Sequence, residues 1–123
     1  MKFYKCPLCG KIISIMNDKT FVPTKCCGQD MVELVPNSSD GAVEKHVPTY
    51  KVEGNKVVVT VGSVEHPMMD NHYIEWILVQ TNLGNQRKVL KPNEKQVREF
   101  ALLDGEKVEA VYAYCNLHGL FIA

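Results

Sequence analysis

The stretch Gly54-Asn55-Lys56-Val57-Val58-Val59-Thr60-Val61 decides the fold class. Gly54-Asn55 is a two-residue hairpin signal. After it Val57, Val59 and Val61 alternate with Val58 and Thr60, the period of two that sends one set of side chains inward and the other outward. Residues 49–53 form the first arm of this hairpin. Toward the C-terminus the same pattern predicts strands over 74–81, 87–90, 99–103, 108–114 and 120–123, with turns at Leu83-Gly84-Asn85 and Asp104-Gly105. Val108, Ala110, Tyr112 and Tyr114 are expected on one face of the penultimate strand. No segment carries a long helical period, so this part of the chain reads as an all-β, antiparallel sandwich.

Toward the N-terminus the pattern thins. Short β-prone runs over 2–5, 12–15 and 31–35 are separated by Cys6-Pro7-Leu8-Cys9-Gly10 and Lys25-Cys26-Cys27-Gly28-Gln29. They are too few to bury a core, and a domain below ~40 residues usually needs disulfides, metal or oligomerisation. The polar, turn-rich Pro36-Asn37-Ser38-Ser39-Asp40-Gly41 is expected to be a linker, which divides the 123 residues into a metal-binding domain over 1–36 and a sandwich domain over 37–123.

Fourteen basic and fourteen acidic residues balance, and neither half carries a dense Lys/Arg run, which argues against nucleic acid or an anionic membrane as partner. No apolar stretch is long enough to span a bilayer, and the start lacks the apolar core of a signal peptide, so the cytoplasm is the expected compartment. Five cysteines in such a protein read as metal ligands before they read as disulfides.

Four of those cysteines lie in the first domain. Cys6-Pro7-Leu8-Cys9 is a knuckle whose turn lets two thiolates reach one ion, and Cys26-Cys27 supplies a second pair. Four thiolates suit tetrahedral zinc or iron, and a structural zinc knuckle or a thiol redox pair are the blander readings. Adjacent cysteines on one ion force the backbone to bend there.

The fifth, Cys115, stands in Tyr114-Cys115-Asn116-Leu117-His118-Gly119, and every histidine in the chain (His46, His66, His72, His118) sits beside a predicted strand end. Pro67 stiffens the loop between two of them and Pro48 follows a third. Five nitrogen and sulfur donors exceed what tetrahedral zinc takes, whereas iron accepts five or six with one position open. Neutral imidazoles leave the ion's charge intact and a thiolate opposite the open position pushes electron density toward it. Such a site is expected to bind a small anion and reduce it. An electron carrier or metal store without turnover, and a zinc-stabilised interaction module, are the competing readings.

Taken together, Cys6-x-x-Cys9, Cys26-Cys27-Gly28, Glu44-Lys45-His46-Val47-Pro48, Gly62 to Met68, His72 to Ile77 and Tyr114 to Gly119 resemble the desulfoferrodoxins, the two-iron superoxide reductases, in this order and over nearly the whole chain. The resemblance implies a desulforedoxin-like domain with a rubredoxin-type iron held by Cys6, Cys9, Cys26 and Cys27. It implies next an immunoglobulin-like, neelaredoxin-like sandwich whose catalytic iron is held by His46, His66, His72 and His118 in a plane and by Cys115 on the axis. Glu44 and Lys45 match the family's mobile pair, the glutamate capping oxidised iron and the lysine attracting superoxide. A homodimer and a rubredoxin-like electron donor are further expectations of the resemblance. This chain departs from the family pattern in a Lys/Thr-rich segment between Cys9 and Cys26 and in Asp30, where a proline is usual.

Overall fold

The computed structural model describes all residues except 20–22, 40, 42 and 65. Asp40 of the expected linker and Glu65 of the motif before His66 therefore lie outside the described residues. The chain forms two compact units, Met1–Val35 and Pro36–Ala123.

In the first unit β1 (Phe3–Lys5) is flanked by β2 (Ile12–Ser14) and β5 (Val32–Glu33) in an antiparallel sheet of order β2-β1-β5. A separate two-stranded ribbon pairs β3 (Lys25–Cys26) with β4 (Gln29–Asp30). Strands of two residues carry no readable alternation, which is why this ribbon was not expected and why the run over 31–35 shrinks to Val32–Glu33. Cys27 and Gly28 at its tip both have positive φ, 54° and 74°, the pair of left-handed residues that a tight type I′ hairpin turn requires. The bend expected at adjacent cysteines thus takes this form. Among the described residues of the unit, Phe3, Cys6 and Met31 are the buried apolar side chains.

The second unit begins with a single helical turn, α1 (Val43–His46), too short to show a period in sequence. The strands that follow are β6 (Pro48–Glu53), β7 (Lys56–Val61), β8 (Ile74–Thr81), β9 (Gly84–Val89), β10 (Val97–Ala101), β11 (Val108–Cys115) and β12 (Gly119–Ile122). They make two antiparallel sheets, β10-β7-β6 and β12-β11-β8-β9. Val57, Val59 and Val61 are fully buried, and with Phe100 of β10 they meet Ile77 and Val79 of β8 and Val111, Ala113 and Cys115 of β11 in one cluster. Each such aliphatic side chain contributes about 1.5–3 kcal/mol on burial.

Two bulges interrupt the β8–β11 ladder, and both decide which way side chains face. The first, between Val108 and Ala110, turns Val108 toward the core, so Ala110, Tyr112 and Tyr114 share the opposite face without it. At the second, Tyr114 pairs with Trp76 but Cys115 pairs with Ile74, leaving Glu75 as the extra residue. Ile74 thereby joins Ile77 and Val79 inside, opposite the buried Cys115.

Gly54-Asn55 turns the β6–β7 hairpin, with Glu53 opposite Lys56, and Gly105 at φ 80° turns the chain where Glu106 N–H reaches the Leu103 carbonyl at 3.0 Å. Strand β9 starts three residues before the expected position, because Thr81 pairs directly with Gly84 and the loop is only Asn82-Leu83. Thr81 Oγ1 closes that loop, accepting from Leu83 N–H at 3.1 Å and donating to Glu106 Oε1 at 2.6 Å. Strand β10 likewise lies two residues before the expected 99–103. The stretch 36–41 is in part built into the second unit: Asn37 donates its N–H to the Leu120 carbonyl at 2.9 Å and accepts from Ile122 N–H through Oδ1 at 3.0 Å. Among the described residues no helix is long and apolar enough to cross a membrane.

Candidate metal centres

The sulfurs of Cys6, Cys9, Cys26 and Cys27 all lie within 4.8 Å of one another. Cys9 Sγ is 3.7 Å from Cys26 Sγ, and Cys26 Sγ is 3.9 Å from Cys27 Sγ. These spacings are far beyond a disulfide bond and all four thiols are free. They match the edge of a sulfur tetrahedron about a metal at ~2.3 Å, which is ~3.8 Å. The knuckle is set by Gly10, at φ 78°, whose N–H bonds the Cys6 carbonyl at 3.1 Å, while Cys9 N–H points at Cys6 Sγ from 3.4 Å. That N–H lowers the Cys6 thiol to about 6 against the opposing effect of burial. Hydrogen bonding to Cys9 and Cys6 pushes Cys26 up to about 12, and Cys27 is raised chiefly by Cys9. Without a cation the hydrogen bonds among these sulfurs thus favour the thiolate at Cys6 and the thiol at Cys26 and Cys27. A bound cation would offset that preference for the thiol.

In the second unit the donor atoms of His46, His66, His72 and Cys115 also lie within 4.8 Å of one another. His46, at the end of α1, and His66 are 2 % and 1 % exposed, Cys115 is fully buried, and His72 is half-buried. His118 is not in that mutually close set, but its Nδ1 sits 2.9 Å from His46 Nε2 and 3.8 Å from Cys115 Sγ. The four rings form a closed square. Neighbours His46–His66, His66–His72, His72–His118 and His118–His46 have centroids 4.5, 4.8, 5.1 and 4.7 Å apart and stand at 72° to 82° to one another. Across the square, His46 and His72 are 6.1 Å apart and inclined at only 28°.

Two nitrogens in this square expose an unmet demand. His66 Nε2 and His72 Nε2 are buried without a hydrogen-bond partner among the described residues, a cost of about 1–3 kcal/mol each unless something else takes their lone pairs. The other nitrogen of His66 faces the Pro67 carbonyl at 2.6 Å, which makes it the N–H of the ring and leaves Nε2 as a free acceptor. Burial, with the neighbouring imidazoles, lowers His66 to about 4 although the Pro67 carbonyl opposes it. His72 is lowered by burial, by His118 and by Lys45. These rings are neutral donors at neutral pH. Cys115 is raised by burial, while the N–H groups of Leu117 and His118 act the other way. Nitrogens near 3 Å, as for His46 and His118, match adjacent ligands about a metal at ~2.1 Å. The donor set fits a metal with imidazole and thiolate ligands.

Residues outside the donor set build the square. Phe121 stacks on His46, with centroids 4.7 Å apart at 24°. Gly41 closes against the rings, since a Cβ there would lie 2.8 Å from His118 Cβ and 3.2 Å from His46 Cε1. The α1 turn is held by the loop after β7: Gly62 N–H bonds the Val47 carbonyl at 3.0 Å, and Val64 N–H and Ser63 Oγ reach the Glu44 carbonyl at 2.9 and 3.3 Å. Gly62 has φ 82° and room for no Cβ, which would fall 2.6 Å from the Lys45 carbonyl oxygen. Glu44 and Lys45 expose their side chains on this turn, and the Lys45 charge is felt at His72. By composition Gly41 belongs to the linker, and Phe121 is an ordinary alternating strand residue, so neither announces itself in sequence. Gly62 did stand inside the motif leading to His66.

The desulfoferrodoxin family profile matches residues 38–123. A desulfoferrodoxin homolog of Archaeoglobus fulgidus is 45 % identical over 121 residues, 98 % of this chain and 94 % of that protein. A desulfoferrodoxin of Nitratidesulfovibrio vulgaris is 41 % identical over 120 residues, 96 % of this chain and 91 % of its own. Among solved structures, the superoxide reductase of Treponema pallidum superposes with a TM-score of 0.84 at 33 % identity, covering 99 % of this chain and 97 % of that one. The one-iron superoxide reductase of Giardia intestinalis matches 65 % of this chain and 95 % of its own, with a TM-score of 0.55 at 37 % identity.

Proposed function

The chain belongs to the desulfoferrodoxin family, and from that premise we propose that it is a superoxide reductase, which takes superoxide, one electron and two protons to hydrogen peroxide. The observation that carries the reading is the square of four imidazoles beside a buried thiol, two of whose buried nitrogens lack any partner among the described residues. His46, His66, His72, His118 and Cys115 would hold the catalytic iron, and Cys6, Cys9, Cys26 and Cys27 a second iron in a desulforedoxin-like domain over residues 1–36. A ferrous ion held by these histidines and Cys115 would supply the electron for superoxide. Lys45 supplies a cation near His72 that favours approach of the anion. Glu44, two residues before His46, would offer a hard carboxylate to an oxidised ion. Pro67 keeps the His66 tautomer through its carbonyl.

The rubredoxin-like donor and the homodimer rest on the family resemblance. Exposed Tyr50 and Val52 on the edge strand β6 offer apolar surface for a partner chain. A cytoplasmic setting is in keeping with five free thiols. The test is stoichiometric. Anaerobically reduced, iron-loaded protein is expected to yield one hydrogen peroxide per superoxide and no dioxygen. Half an equivalent of peroxide with release of dioxygen would mean dismutation and overturn the proposal.

A further inference from the structure

Asn116 stands between Cys115 and the chain that carries His72, and it makes three hydrogen bonds there. Its backbone N–H donates to the Tyr73 carbonyl at 3.1 Å, its side-chain Oδ1 accepts from Tyr73 N–H at 2.9 Å, and its Nδ2 donates to the Asn71 carbonyl at 3.1 Å. The regular β8–β11 ladder has ended one residue earlier, at the Cys115–Ile74 pair beyond the Glu75 bulge. Past that point the side-chain amide of Asn116 takes over the role of a strand, offering a carbonyl to one side of His72 and an N–H to the other. His72 itself exchanges both of its backbone bonds with Met69, at 2.9 and 3.2 Å. Every backbone polar group from the Asn71 carbonyl to the Tyr73 carbonyl is thereby assigned, and the His72 backbone has no freedom left except through Asn116 or Met69.

We infer that Asn116 is a positioning residue of the metal site, locking the His72 ring at a fixed distance and angle to the Cys115 thiolate. The inference rests on the reading of His72 and Cys115 as ligands of one iron. A serine or alanine at 116 would keep the backbone bond and lose both side-chain bonds. An aspartate would keep the acceptor for Tyr73 N–H and lose the donor to Asn71. No other residue type of this size offers a donor and an acceptor in one plane. Partners that orient a metal-binding imidazole typically cost 10- to 100-fold in metal affinity when removed, and here the loss falls on the angle between nitrogen and sulfur donors.

The test compares full-length wild type, Asn116→Ala, Asn116→Asp and Cys115→Ser proteins, loaded with iron and oxidised. Subtracting the Cys115→Ser spectrum from each isolates the sulfur-to-iron absorption of Cys115 from that of the four-cysteine site. Ferrous affinity at the second site is measured by chelator competition, and the exchange rate of Tyr73 N–H is read in the metal-free proteins. Asn116→Ala is expected to shift the Cys115 band, lower ferrous affinity about 10- to 100-fold and speed Tyr73 exchange. Asn116→Asp, which keeps one of the two bonds and folds with an isosteric side chain, is expected to shift the band in the same direction and to lose less affinity. An unshifted band with affinity within about twofold of wild type in both variants would make Asn116 a loop residue without influence on the metal and overturn the inference. A wild type with no Cys115-dependent band would instead remove the ligand reading beneath it.

Discussion

The two candidate centres are built in opposite ways. The four-cysteine quartet is drawn from two tight local turns, with Cys9 and Cys27 exposed and few buried apolar side chains around it among the described residues. The histidine–cysteine square gathers donors from residue 46 to residue 118 onto a sandwich that buries an apolar core of its own. A metal at the first site therefore contributes folding energy to its unit, whereas the second unit contributes geometry to its metal. The first site is expected to fold around its ion and the second to wait for it.

The strongest way to break this contrast is to remove one sulfur from the quartet. Cys9→Ser is expected to release the first metal and to expose the backbone amides of residues 1–35 to exchange, while second-site metal content stays at the wild-type level. Metal analysis with hydrogen exchange checks it, and simultaneous emptying of both sites would dissolve the contrast.

Next in size are the glycines that let the square close. Gly62→Ala places a Cβ 2.5 Å from the Val64 carbonyl oxygen at a left-handed φ, a backbone clash expected to cost about 2–4 kcal/mol in thermal or denaturant unfolding of the second unit. Gly41→Ala presses on His118 instead, and is expected to weaken second-site metal binding about tenfold with little loss of stability of the metal-free protein. A Gly41→Ala protein with unchanged affinity would show that the rings yield without consequence.

How much of this was legible in the sequence differs between the units for the same physical reason. The sandwich declares itself in Val57, Val59 and Val61, because a buried face repeats every second residue. Its bulges do not, and the face of Val108 was misread for that reason. The ribbon around Cys26 and Cys27 has arms too short to alternate, so its chemistry was legible from the cysteines while its strands were not. The histidines were brought to one site by their count, Cys115 and the surrounding motifs. Asn116 and Gly41, which hold the square, carry no chemistry of their own, and their role exists only once the chain is folded.

A smaller effect sharpens the comparison through pH. The His66 imidazole is held at about 4, below its ordinary 6.5, so between those values the unfolded chain binds a proton that the folded chain refuses. Stability of the metal-free second unit is therefore full above about pH 6.5 and is lost as pH falls toward 4, by about 1–3 kcal/mol. Urea unfolding of metal-free protein at pH 7 and pH 4.5 measures it. Bound metal is expected to hide this slope at pH values where it remains bound, since the ion occupies the nitrogen that would take the proton. A flat profile in the metal-free protein would mean that His66 is more open to water than its burial implies.

The smallest effect concerns Lys45. Removing this exposed charge is expected to slow the second-order reaction with superoxide by up to about tenfold at low salt and less at high salt, with metal content intact. Lys45→Arg is expected to keep most of the rate. Equal rates and salt slopes in wild type and Lys45→Ala would assign the lysine to solvent alone.

Which of the two centres meets superoxide can be measured directly. A pulse of superoxide delivered to protein reduced at the second site, followed by time-resolved absorption, separates the Cys115-dependent band from that of the four-cysteine site. The band of the second site is predicted to grow at the rate at which superoxide disappears, while first-site absorption stays constant through that phase. A change at the four-cysteine site that tracks superoxide decay, with the Cys115 band silent, would contradict it.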